Sequence, residues 1–335
     1  MNTTELPKSK LEAIRYFSGA ERCHAFLVAM RWPDGVRCAH CDSENIGKLV
    51  VSTQNKPGRT LKSGKVIAPY SVTRRVWNCK ACKKQFTVKV KSIFEDSPIG
   101  LDKWLPALWM IVNAKNGVSS CEMARDLEVT QRTAWFMGHR IRAVMHNGIF
   151  NLCGQCEADE TWIGGSARNM HKHKKAKVMK GAQNTALTPV MGLLERGTRE
   201  KCSRVRLQII RNTTRKELHG HVRKYVMKGT EVHTDSLYSY RGLDADYTHK
   251  VVDHAVAYVQ DGVHTNGLEN FWCLLKRTVK GTYVRPEPFH LFRYLDEQAF
   301  RFNERKDDDQ GRFLKATGSV AGRRLTYKKL TDKTD

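Results

Sequence analysis

The chain has 335 residues, enough for two or three domains and a substantial core. Lysine and arginine number 58 against 34 acids, a net charge of +24 spread along the whole length, so the natural partner is a polyphosphate whose condensed counterions such a surface displaces. No segment approaches the roughly 20 apolar residues of a membrane span, and Met1 to Pro7 carries no apolar secretion core, which sets aside membrane and secreted classes and gives the expectation of a cytoplasmic, DNA-associated protein.

Residues 1–30 form a first unit, in which Leu11, Ile14, Phe17, Cys23, Phe26, Leu27 and Met30 fall near one stripe of an amphipathic helix over 11–30. Residues 31–95 carry Cys38-Ala39-His40-Cys41 and Cys79-Lys80-Ala81-Cys82. Two such pairs supply four thiolates, Cys38, Cys41, Cys79 and Cys82, to one tetrahedral structural Zn²⁺. The spacer between them, with Lys56, Arg59, Lys62 and Lys65, reads as an extended basic hairpin. His40 is surplus to a four-thiolate shell. Cys153 and Cys156 make a further pair that leads into a strand, and they read as two small buried cysteines.

Residues 96–148 read as helices over Leu101–Asn113, Cys121–Leu127 and Gln131–Met145. The last two have the form of a helix-turn-helix, with Ser119 or Ser120 capping the first and Thr130 the second, and Ala124 at the crossing. Glu128 stands in the turn where glycine is common. Gln131, Arg132 and Arg140 are expected to face outward, toward DNA.

From residue 149 to 305 strands alternate with helices. Cys153–Trp162, Thr188–Leu194 and Ser203–Ile210 read as strands, Thr214–Met227 as a helix, then Glu231–Asp235 and His249–Val252 as strands, and a helix begins at Asn266. This is the element order of a ribonuclease-H-like core, in which the first and fourth strands lie side by side and bring Asp159 and Asp235 together. Asn266, Glu269 and Lys276 lie three and seven residues apart, close to one helix face. A carboxylate there, with two acids from other segments, can hold a pair of divalent cations for phosphodiester chemistry. Glu160 should point to the opposite side of its strand from Asp159. The basic run Arg168–Lys177, with Lys172, Lys174 and Lys175, reads as a loop that touches phosphates, and Arg277 as a further phosphate contact. Residues 306–335 read as a tail, preceded by an amphipathic helix of Leu291, Tyr294, Leu295, Ala299 and Phe302 that closes the core.

Taken in order, the paired cysteines, the helix pair, Asp159-Glu160-Thr161-Trp162-Ile163-Gly164-Gly165, His233-Thr234-Asp235 and His264-Thr265-Asn266-Gly267-Leu268-Glu269 resemble the ISXO-like insertion-sequence transposases, from about residue 20 to about residue 330. Arg293-Tyr294-Leu295-Asp296-Glu297 and Arg301-Phe302-Asn303-Glu304-Arg305 are similar to that family's closing helix. The resemblance implies a multidomain α/β protein: a zinc ribbon, a helix-turn-helix, and a ribonuclease-H-like (retroviral-integrase-like) catalytic core. It implies Mg²⁺ or Mn²⁺ chemistry that cuts and joins double-stranded DNA at terminal inverted repeats and target sites, carried out by a homo-oligomer. Asp159 and Asp235 would be the first two metal ligands, and Glu269 or Asn266 the third. Glu269 is favoured because an anionic oxygen binds Mg²⁺ better than an amide. Lys276 would hold a DNA phosphate. A DNA-binding regulator without catalysis and a junction nuclease with the same core stay open as alternatives.

Overall fold

The structure is a computed structural model that describes residues 6–60, 64, 66–146, 148, 150–164, 172, 187–252 and 262–332. Two short helices open it, α1 (Lys10–Tyr16) and α2 (Ala20–Arg31), where the apolar pattern suggested one. Leu11 and Ile14, expected on the buried stripe, are 57% and 46% exposed. The chain breaks at Phe17–Gly19 because Phe17 and Phe26 both pack on the distant Phe313, with ring centroids 5.5 and 5.7 Å away. That aromatic partner overrides the local periodicity.

The basic spacer is an antiparallel hairpin. Its strand β1 (Val50–Lys56) pairs with β4 (Tyr70–Asn78), Val50 opposite Val76 and Lys56 opposite Tyr70. Two short strands, β2 (Arg59–Thr60) and β3 (Val66–Ile67), pair near its tip. Every residue of β1 is exposed, so the hairpin projects beyond the core. At its base β4 pairs with β5 (Gln85–Phe86), and the Trp77 and Phe86 rings stack at 5.7 Å beside Trp32.

Three helices follow: α3 (Leu101–Asn113), α4 (Ser120–Asp126) and α5 (Gln131–Val144). The caps fall where the sequence places them, for Ser119 accepts from the Glu122 N–H and Thr130 from the Thr133 N–H. In the turn between α4 and α5, Glu128 takes a left-handed conformation, φ +51°. That is the glycine-like geometry its position called for.

A five-stranded sheet comes next, made of β6 (Gln155–Gly164), β7 (Leu187–Glu195), β8 (Arg204–Ile209), β9 (Glu231–Asp235) and β10 (Thr248–Val252), in the order β10-β9-β6-β7-β8. β6, β7 and β8 run antiparallel, while β9 lies parallel to both β6 and β10. Helix α6 (Arg215–Tyr225) covers one face, packing Leu218 and Val222 with Ala158, Met191, Leu193 and Val232. The other face is covered by α7 (Asn266–Thr278) and α8 (Leu291–Asn303), through Leu268, Phe271, Leu275, Leu291 and Leu295.

The segment expected to be a tail is structured. Helix α9 (Asp309–Gly318) places Phe313 and Ala316 in the core of the amino-terminal half with Phe26, Trp104 and Trp109, and α10 (Tyr327–Thr331) follows. Helix α8 stands between the two halves, giving Phe300 to that core and Leu291 and Leu295 to the sheet. Among the described residues no helix is long and apolar enough to cross a membrane.

Candidate active site and metal centre

The sheet register decides which acids meet. Ala158 on β6 lies opposite Thr234 on β9, and Ala158 packs with Val232 under α6. Side chains alternate along a strand, so Asp159 and Asp235, the next residues of each, turn to the face covered by α7. Strand β6 continues past Asp159 to Gly164. Asp235 closes β9, where the Leu237 N–H donates to its Oδ1 at 3.1 Å.

Asp159 is held by two N–H donors. The Glu160 amide donates to Oδ1 and the Trp272 indole Nε1 to Oδ2, each at 2.8 Å. Burial pushes the Asp159 carboxyl up, those two donors pull against it, and the charges of Asp235 and Glu269 push it up again. Glu269, in the first turn of α7, supplies the smallest part of that upward push. Asn266, the other candidate, is exposed at the start of α7. Among the described residues the hydrogen-bond donors to Asp159 and Asp235 are neutral N–H groups rather than cations.

Two supports of this site carry no sequence label of their own. Gly192 on β7 lies directly opposite Asp159, and a Cβ there would stand 2.6 Å from the Trp272 ring. Only glycine lets the indole lie across the sheet to reach Asp159. Glu157, two residues before Asp159 and 1% exposed, accepts from the Leu268 N–H at 2.9 Å and from Arg196 Nε at 2.8 Å. Arg196 also donates to the His264 carbonyl at 2.6 Å. The pair thus fixes the first turn of α7, with Glu157 satisfying one of its free N–H groups and placing negative charge at its positive end. A Cβ on Gly267 would stand 2.8 Å from the Glu157 carboxylate, so this approach too needs glycine. Of these groups, Trp272 and Glu157 are within reach of spacing: Trp272 follows Glu269 by one helical step, and Glu157 shares a strand face with Asp159.

Lys276 and Arg277 are exposed on α7 beyond Glu269. Glu160 faces away, as expected, and accepts from the Tyr240 O–H. Gln131 and Arg132 are exposed, with Gln131 Nε2 donating to Ser120 Oγ at 2.8 Å and Arg132 to the Tyr327 hydroxyl at 3.0 Å. Arg140 does not face out. It is 4% exposed and donates to the carbonyls of Leu325, Ile93 and Glu95, because the carboxyl-terminal segment covers that side of α5. Lys172 is exposed, while Lys174 and Lys175 lie outside the described residues.

The four cysteines of the ribbon converge, their sulfurs all within 4.8 Å of one another. Cys38 and Cys82 are 3.7 Å apart at sulfur, as are Cys41 and Cys79. Zinc–sulfur bonds of about 2.3 Å set at tetrahedral angles put the sulfurs about 3.8 Å apart, so the cluster fits one structural zinc. Each knuckle turns through a left-handed residue, Asp42 and Lys83, both at φ +60°. His40 stays out of the cluster, its Nε2 3.2 Å from the Gln85 carbonyl. Among the described residues the acids of the sheet do not close to that spacing. Of the second cysteine pair, Cys156 is buried as expected but Cys153 is exposed, since it precedes the strand.

Residues 151–303 match the family described as ISXO2-like transposase domain, and residues 20–56 match the transposase zinc-ribbon domain. The chain belongs to the ISXO2-like transposase family. It is similar to an uncharacterized protein in transposable element ISH50 of Halobacterium salinarum, 22% identical over 273 residues, covering 79% of this chain and 84% of the relative. An uncharacterized transposase-like protein of Haemophilus influenzae is 32% identical over 96 residues, 28% of this chain and 76% of the relative. The transposase-domain match takes in Asp159, Asp235, Glu269 and Lys276, and the ribbon match takes in the first cysteine pair and β1.

Proposed function

We propose that this transposase binds the ends of an insertion sequence and carries out divalent-metal-dependent strand cleavage and strand transfer on double-stranded DNA. The observation that carries the reading is that Asp159 and Asp235 share the sheet face covered by the helix that bears Glu269, with Asp159 and Asp235 each oriented by N–H donors. The sheet order, with its antiparallel β6-β7-β8 and parallel β6-β9-β10, supports a ribonuclease-H-like core. Asp159, Asp235 and Glu269 would hold the Mg²⁺ or Mn²⁺ ions, and Asn266, at the mouth of the same helix, would orient a polar group beside them. A pair of divalent cations in such a site supplies an activated water and neutralises charge at the phosphate.

The chain's own part is placement. Trp272 and the Glu160 amide fix the direction of the Asp159 carboxylate, and the Glu157–Arg196 pair fixes the helix that carries Glu269. Lys276 and Arg277 would take the phosphates beside the scissile bond. Hydrolysis breaks the P–O3′ bond and frees a 3′-hydroxyl, whose oxygen then attacks a target phosphorus and displaces the target's own 3′-oxygen. The exposed hairpin, Gln131 and Arg132 of the α4–α5 pair, and Lys172 with its basic neighbours would hold the duplex outside the site. Joining two ends calls for a homo-oligomer.

The test is nicking of labelled duplex carrying the DNA ends that flank the chain's own gene, in Mg²⁺ and in EDTA. Asp159→Asn and Asp235→Asn should each lower cleavage at least about a hundredfold, the scale seen when one charge-stabilising group is removed. Cleavage at the wild-type rate in both variants would sink the assignment.

A further inference from the structure

Between α7 and α8 the chain makes a turn whose geometry has no structural necessity. Helix α7 ends in a π-turn over Val279–Tyr283. Val284 then takes φ +61° and ψ −65°, and the Arg285 N–H donates to the Tyr283 carbonyl at 2.7 Å. This is the positive-φ γ-turn, a rare and strained form. A β-branched residue at positive φ is an outlier in any fold, and glycine would sit there without strain. Nothing in the packing calls for valine, because Val284 is 74% exposed, the most exposed large apolar side chain among the described residues.

The turn is nevertheless held firmly. On its inner side Tyr283 donates its hydroxyl to the buried Glu297, packs edge-on to Tyr294 at 4.7 Å, and lies under the Arg142 guanidinium. On its outer side Pro286 and Pro288 restrict the backbone. A rigid, strained turn that pushes one apolar side chain into solvent is the arrangement expected of a side chain used elsewhere.

What surrounds it selects the occupant. Lys276, Arg277, Lys280 and Arg285 are all exposed on the same helix and turn, against one exposed acid there, Glu287, so this part of the surface is predominantly cationic and suits a phosphate backbone. Val284 and Arg285 also border a cavity of about 390 Å³ shared with Ser119, Ser120 and Cys121 at the start of α4. The tip therefore lies between the helix pair and the helix that carries Glu269. From Glu269 to the end of α7 is about 14 Å at 1.5 Å per residue, or roughly four base-pair steps of 3.4 Å.

We propose that Val284 is an apolar wedge that enters the base stack of the bound DNA end, several steps from the scissile phosphate, and kinks or unstacks it. Apolar side chains used in this way open a base step and bend the duplex, and flanking cations repay the cost through phosphate contacts. The inference rests on the DNA-end reading above and adds a place and a chemical means of distortion to it.

The experiment uses the full chain, without divalent metal, and the duplex carrying its own flanking end. 2-Aminopurine is placed singly at successive positions from the cleavage boundary. Fluorescence is read at saturating protein, with occupancy checked by anisotropy. Wild type should give a several-fold rise at one position, roughly four to six steps from the boundary. Val284→Gly, which relieves the strain and should melt no lower than wild type, should lose that rise. Val284→Leu should restore it. An equal rise with Val284→Gly, or no rise at any position with a protein that nicks the same duplex once Mg²⁺ is added, overturns the wedge and leaves the proposed function standing. Failure of wild type to bind or nick the ends overturns both.

Discussion

Asp159 and Glu160 are neighbours in sequence and opposites in environment. Asp159 looks toward the covering helix α7, on the sheet face it shares with Asp235. Glu160 looks into the other face, where burial pushes its carboxyl up to about 8, the Tyr240 hydroxyl partly offsets this, and the charges of Asp159 and Asp235 add to it. At neutral pH it keeps its proton. An unfolded glutamate ionises near pH 4.3, so between that pH and about 8 the unfolded chain gives up a proton that the folded chain retains. Stability therefore falls as pH rises through that window and is fully kept below it. Glu160→Gln keeps a neutral acceptor for Tyr240 and should flatten this slope, by on the order of 1 kcal/mol per pH unit before solvent screening. Urea unfolding at pH 5 and pH 7.5 would measure it, and an unchanged slope in the variant would count against a protonated Glu160. The candidate acids were legible because each stands in a short motif, and alternation alone set Glu160 apart. Trp272 and Glu157 were missed although their spacing marks them. Gly192 had no signal at all, since its role comes from a cross-strand register that no local pattern encodes.

Helix α8 shows what an element can hide. Its sequence reads as a simple amphipathic helix, and Leu291, Leu295 and Ala299 do face the sheet core. Its other side is buried too, and there Glu297, 0% exposed, accepts from Arg142 Nε at 2.6 Å and from Arg301 and Tyr283. Burial pushes the Glu297 carboxyl up, but Arg301 and Arg142 more than offset this and hold it below its usual range. Glu297→Ala would leave two guanidinium groups buried without their counter-charge, at a cost of about 3–5 kcal/mol. Glu297→Gln, which keeps the acceptor oxygen, should cost less. Chemical denaturation reads both, and a loss under about 1 kcal/mol for the alanine variant would show the network to be marginal. With Arg301 also donating to the Ile111 carbonyl at 3.4 Å, the network joins α3, α5 and the stretch from the π-turn to α8 across more than 150 residues of sequence, so composition could not announce it. The strands of the sheet, by contrast, were legible to within a few residues, since alternation and length depend on neighbours alone. The amino-terminal helix and Arg140 went the other way for one reason. Phe313 draws Phe17 inward and the 320–325 segment covers α5, and both partners come from the far end of the chain.

At the scale of the molecule, the carboxyl terminus completes the amino-terminal half. Phe313 lies 5.1 Å from the Trp109 ring and packs on Phe17 and Phe26. The Ile93 N–H donates to the Val320 carbonyl at 3.2 Å, the Gly322 N–H to that of Lys91 at 2.7 Å, and Arg323 to that of Ala143 at 2.8 Å. A polypeptide of residues 1–148 would lack all of these together with Phe300. Losing one buried phenylalanine side chain costs about 3–5 kcal/mol, and that is a large share of the roughly 5–15 kcal/mol by which a domain is stable. Residues 1–148 alone, even loaded with zinc, should therefore show no cooperative thermal transition, whereas the full chain should. Circular dichroism of both would measure it, and a sharp transition in the fragment near that of the full chain would refute the dependence. The same interlock bears on function. Because α8 and α9 tie the ribbon and helix pair to the sheet, the proposed function would have DNA gripped at one place presented to Asp159, Asp235 and Glu269 in a fixed register. A flexible linker would supply reach but not register, and phosphoryl transfer depends on placement of that order.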